Sequence, residues 1–158
     1  MYKWSVDEIE TFWKEIWSFC GIQGEIVNEK DVVLENYQYM DEFPKWFKDR
    51  KLNFAKNLLY PSNGSSVDPD SVAIHFRSEI DSLSRSLSWR ELRFQVAKAQ
   101  NILKEKFGIR KGDRIAAYAP NCPEVLIYML AGASIGAIFT AGSPDFGPMV
   151  NKKRILHH

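Results

Sequence analysis

An α/β fold is predicted, with a helical N-terminal wrap followed by the first βα units of a sheet that remains incomplete. Three observations predict it. An aromatic stripe at helical spacing runs from Ile9 to Cys20. A Pro-, Gly-, Ser- and Asp-rich stretch, PSNGSSVDPD, occupies residues 61–70 and divides the chain. Beyond it, short apolar runs at 115–119 and 137–140 flank a longer one at 125–135, in the order strand, helix, strand.

The elements follow in order. Ser5 and Glu8 have capping-box spacing, and Ile9, Phe12, Trp13, Ile16, Phe19 and Cys20 then share one helical face that ends at Gly21. This stripe fits a helix packed on its own protein, because its interspersed acids disfavour lipid. From Gln23 to Tyr60 the pattern is an extended, aromatic-rich wrap with short helical turns. Val72 to Phe76 alternates as a strand, and Leu83 to Leu87 is its hairpin partner across SEIDSLS. Ser88 and Glu91 form a second capping box, before a stripe of Trp89, Leu92, Val96, Ala99 and Leu103 that stops at Gly108. Ile115 to Ala119 reads as a buried parallel strand. Pro123 opens a helix that is apolar nearly all round, Gly136 ends it, and Ala137 to Thr140 is the next strand. Strand, helix, strand of these lengths makes a parallel βαβ unit.

Composition excludes several functions. The chain has 158 residues, 45% hydrophobic and 26% charged, with a formal net charge of +1. That charge gives no pull toward nucleic acid or anionic membrane. Cys20 and Cys122 are far apart and lack CxxC spacing, which suits a reducing compartment and argues against a metal knuckle. The acids among the N-terminal aromatics do not suit a secretory or organellar leader, so cytosol is expected.

The chemistry-bearing residues are few. Gly132 and Gly136 of AGASIGA lie within and at the end of a helix, where amides do not face a phosphate, so close helix–sheet packing explains them better. Asp113 and Arg114 fit a locally hydrogen-bonded turn. His75 stands alone, and His157, His158 and the KKR of the tail have no matching ligands, so no metal site is expected. GxSxG, HExxH and GxxxxGK[ST] are absent, as is any Ser/Thr/Gly-rich loop ending in Lys. The turn Gly142 to Gly147 follows the last strand, where ligands of open α/β sheets gather.

LNFAKNLL (52–59), LSWREL (87–92), GDRIAAYAPNCPE (112–124), GASIGAI (132–138) and SPDFG (143–147) stand in the order seen in acyl-CoA synthetases of the adenylate-forming superfamily. The wrap with Trp46 and LNFA resembles the N-terminal region of acetyl-CoA synthetases, and SPDFG resembles the acetoacetyl-CoA synthetases. The resemblance implies an acetyl-CoA synthetase-type N-terminal region over 1–61, the start of an AMP-dependent synthetase/ligase domain over 71–147, and an unrelated tail over 148–158. It implies a ligase that uses ATP, Mg²⁺ and coenzyme A to convert acetoacetate to acetoacetyl-CoA through an acyl-adenylate, in cytosolic ketone-body and lipid metabolism. Ser143, Pro144 and Asp145 correspond to a turn near coenzyme A in that family, although their sequence departs from its glycine-rich form.

The family's phosphate loop, Mg²⁺ ligand, ribose-binding aspartate and catalytic lysine match no position here, so no catalytic residue and no cofactor are expected for these residues alone. The family continues after 147 into a helix of VxGVxxRF type, whereas PMVNKKRILHH resembles an alternative transcript end. The expectation is a truncated, inactive N-terminal part. The alternatives are a non-catalytic module that pairs with full-length enzyme, self-associating through an exposed sheet edge, and the start of another short-chain acyl-CoA synthetase such as acetyl-CoA synthetase.

Overall fold

The computed structural model describes residues 1–27, 31–36, 43–62, 67–78 and 83–147. The chain forms two compact units, Met1–Ser66 and Val67–His158. The tail at 148–158, with its KKR and paired histidines, lies outside the described residues, as do 63–66 of the dividing loop and 79–82 of the hairpin connection.

The first unit begins with α1 (Tyr2–Asp7) and α2 (Ile9–Phe19). The capping box expected at Ser5 and Glu8 does not form. The chain is already helical from Tyr2, so Ser5 lies inside α1 and its Oγ donates to the Tyr2 carbonyl at 2.8 Å. Glu8 is the break between the helices and makes no side-chain cap. The expected stripe holds at Ile9, Phe12 and Ile16 but fails at Trp13, which is exposed, and at its end, where Phe19 is 84% exposed and Cys20 is exposed. Trp17 is the buried residue of α2, its ring tilted at 44° against that of Phe47 with centroids 4.6 Å apart. Two residues further on, a helix has turned about 200°, which carries Phe19 to the outside.

The wrap is built from very short strands. β1 (Gly24–Ile26) pairs antiparallel with β4 (Arg50–Leu52), and β2 (Leu34–Glu35) with β3 (Lys45–Trp46). Asn53 caps α3 (Phe54–Leu59) by accepting from the Lys56 amide at 3.0 Å. Arg50 ties the unit together. Its guanidinium lies 4.4 Å from the Trp17 ring centroid and makes a bidentate pair with Asp31, both bonds 2.7 Å. Val33, Leu34, Ala55 and Leu59 are the other buried apolar residues described in this unit, and Asp49 is buried as well.

The second unit follows the predicted order. β5 (Val72–Arg77) and β6 (Ser84–Ser88) form an antiparallel hairpin with an irregularity between Val72 and Ile74. His75 faces Ser86 across it, its Nδ1 3.0 Å from the hydroxyl. The second capping box is complete: the Ser88 hydroxyl accepts from the Glu91 amide at 3.2 Å, and the Glu91 carboxylate accepts from the Ser88 amide at 2.7 Å. α4 (Trp89–Asn101) buries Leu92, Val96 and Ala99, then widens into a π turn at Ile102–Lys106. α5 (Pro123–Ile135) packs on α4, with Leu130 and Ala131 fully buried. It ends at Gly136, whose φ of +85° favours glycine.

β7 (Arg114–Tyr118) and β8 (Ile138–Gly142) pair in parallel across α5, which completes the βαβ unit. β7 is not buried on both faces as expected. Ile115 and Ala117 are half-buried, whereas Arg114, Ala116 and Tyr118 are exposed. Helix α5 meets one face through Gly132, and among the described residues nothing buries the other.

Candidate functional site

The parallel register brings Tyr118 and Gly142 side by side at the carboxyl ends of β7 and β8. The chain leaves the sheet there at Ser143. Pro144 presets φ for a 3₁₀ turn over Pro144–Phe146, and Gly147, at φ +69°, closes it with its amide donating to the Pro144 carbonyl. Ser143 and Asp145 face each other within this turn. The Ser143 hydroxyl donates to Asp145 Oδ2 at 2.7 Å and accepts from the Asp145 amide at 3.3 Å. Ser143, Pro144 and Asp145 are thus brought together at the strand ends.

Tyr118 is the residue that the sequence reading missed. Its hydroxyl donates to the Pro144 carbonyl at 3.2 Å and pins the turn to β7. The signal was an aromatic hydroxyl on the last residue of that strand. The turn presents a carboxylate and a serine hydroxyl, with no cation among its residues. Such a surface suits neutral hydrogen-bonding groups better than phosphate, which an adjacent carboxylate repels.

The beginning of α5 offers no anion site either. Cys122 caps it without a side-chain bond, and Glu124 occupies its first turn. Glu124 accepts from Arg85 Nη2 at 2.5 and 2.6 Å. That bond holds the Glu124 carboxyl below its ordinary range and raises Arg85. Gly132 serves packing: a Cβ there would lie 2.9 Å from Ile115 Cδ1. Asp113 accepts from the Arg110 amide at 2.7 Å, a local turn bond. Among the described residues no three His, Cys, Asp or Glu side chains are placed to hold a metal ion. No described helix is long and apolar enough to cross a membrane.

Comparison with known proteins gives a consistent answer. Residues 64–155 match the family model for AMP-binding enzyme. The acetoacetyl-CoA synthetase of Danio rerio is 40% identical over 147 residues, which is 93% of this chain and 21% of that protein. The malonamoyl-CoA synthetase of Penicillium aethiopicum is 35% identical over 149 residues, covering 93% and 20%. The solved acetoacetyl-CoA synthetase from Streptomyces lividans superimposes with a TM-score of 0.84 at 32% identity, over 98% of this chain and 22% of that one. The chain therefore spans about a fifth of the length of the relatives it matches.

Proposed function

The chain belongs to the AMP-binding enzyme family, and from that premise we propose that it forms the N-terminal portion of an acetoacetyl-CoA synthetase. The reaction joins ATP and acetoacetate into an acyl-adenylate with release of pyrophosphate, and the thiol of coenzyme A then displaces AMP. The observation that carries this reading is the superposition on the Streptomyces lividans enzyme over 98% of the chain. The likeness to a malonamoyl-CoA synthetase over the same length indicates that this portion does not itself choose the acid.

Within that reaction these residues act as scaffold. No Ser/Thr/Gly-rich loop ending in Lys is present to grip phosphate, so the adenylating chemistry is assigned to none of them and the 158 residues alone have no ligase activity. The Ser143–Pro144–Asp145 turn lies beside coenzyme A and meets its uncharged amide-bearing arm, because Asp145 disfavours the phosphates. The proposed setting is the cytosol, in ketone-body use for lipid synthesis, with Cys20 and Cys122 both free thiols.

A chimera tests this. Residues 1–147 replace the corresponding segment of the Streptomyces lividans enzyme, and acetoacetate-dependent ATP–pyrophosphate exchange is measured. Retained exchange is expected. A folded chimera without exchange refutes the assignment.

A second reading, self-association, is favoured by the two-stranded β7–β8 sheet, in which Ile138 is 53% exposed. Light scattering distinguishes the two: a monodisperse monomer at high concentration rules pairing out.

A further inference from the structure

A groove of about 350 Å³ lies in the second unit and shares no lining residue with the turn at the strand ends. It falls at the lower end of the range of small-molecule pockets. Leu87 of β6, Ile102 of α4's π extension and Ile127 of α5 contribute its apolar lining. Lys98, Arg85, Glu124, Gln95 and Tyr128 contribute the polar lining.

The charges decide what fits. Glu124 is already engaged by Arg85 at 2.5 and 2.6 Å. Lys98 makes no salt bridge among the described residues. The lining therefore carries one cation in excess, beside an apolar patch made by three separate elements. An ammonium ligand would face that cation, and a purely apolar one would leave it unused.

We propose that this groove binds a small amphiphilic carboxylate, with its head on Lys98 and its hydrocarbon body along Leu87, Ile102 and Ile127. The class is a medium-chain monocarboxylate, of a size that the groove accommodates. The site is separate from the Ser143–Asp145 turn and does not depend on the ligase reading.

Octanoate is the probe, titrated into the full 158-residue chain and followed by two-dimensional amide NMR. Saturable shifts are expected that centre on Leu87, Lys98, Ile102 and Ile127. Charge reversal by Lys98→Glu, on an exposed helical position, should weaken binding by about tenfold, as loss of one attraction and gain of one repulsion require. Octanol, which keeps the body and loses the charge, should bind more weakly than octanoate by a smaller factor, because it loses the attraction and gains no repulsion. Shifts that do not saturate, shifts centred elsewhere, equal binding of octanol, or unchanged affinity in a Lys98→Glu variant with wild-type peak dispersion would each overturn the proposal. Should Lys98→Glu lose that dispersion, Lys98→Gln replaces it, with weaker octanoate binding expected and unchanged binding contradicting the site.

Discussion

The contact between Gly132 and Ile115 sets how closely α5 approaches the parallel strands, and a mutant cycle can measure it. A Cβ at residue 132 would sit 2.9 Å from Ile115 Cδ1, the far end of a side chain that can rotate. Two effects then oppose each other in Gly132→Ala. Removing a glycine from a helix interior contributes about 1 kcal/mol. Forcing Ile115 off its rotamer costs about 0.5–1.5 kcal/mol. Gly132→Ala should therefore lie within about 1 kcal/mol of wild type. Gly132→Val adds two more carbons against the same strand and should cost about 1–3 kcal/mol. Ile115→Val alone should cost about 1 kcal/mol, but it deletes the clashing Cδ1, so with Gly132→Ala present that cost should largely vanish. Urea unfolding read by linear extrapolation gives each corner of the cycle. The expected coupling is about 1 kcal/mol. A cycle that closes additively, within about 0.3 kcal/mol, would refute close packing as the reason for this glycine.

Three other outcomes follow from the second unit and the ion pairs. Leu130→Ala, at a fully buried position, should destabilise by about 3 kcal/mol in the same urea assay. Ser88→Ala removes the capping hydroxyl and should cost about 1 kcal/mol, with amide exchange faster in the first turn of α4 than elsewhere. Acid should destabilise the fold through four carboxyls held below their ordinary range: Asp31 by Arg50, Asp70 by Arg90, Glu91 by the Ser88 amide and Glu124 by Arg85. Their contribution is fully present above about pH 4.5 and is lost as pH falls through the folded values. Arg85→Met should flatten this loss in a pH series of urea midpoints, and an unchanged slope would contradict the Glu124 assignment.

The second unit was legible because its signals are local. The Ser88–Glu91 box, Pro123 at a helix start, Gly136 past a helix end and the alternation of Val72–Phe76 each involve neighbours a few residues apart. The first unit was not, because its strands have two or three residues and find partners far along the chain, as Gly24 does with Leu52. So short a strand cannot display a period. Ser5 misled because a capping pattern carries no information about whether the preceding residues are already helical. The exposure of β7 was hidden for another reason. An unbroken apolar run reports what a strand can bury, and Ala116 and Tyr118 stay exposed where no described element covers them. At the site, the position of Ser143, Pro144 and Asp145 was readable from strand order, while the Tyr118 tether needed the parallel register.

On the proposed function, these residues frame an adenylating ligase without themselves gripping its triphosphate. Calorimetric titration of the purified chain with magnesium–ATP probes that division most directly. Heat that does not rise above dilution agrees with it, and a saturating isotherm with one molecule of ATP per chain contradicts it.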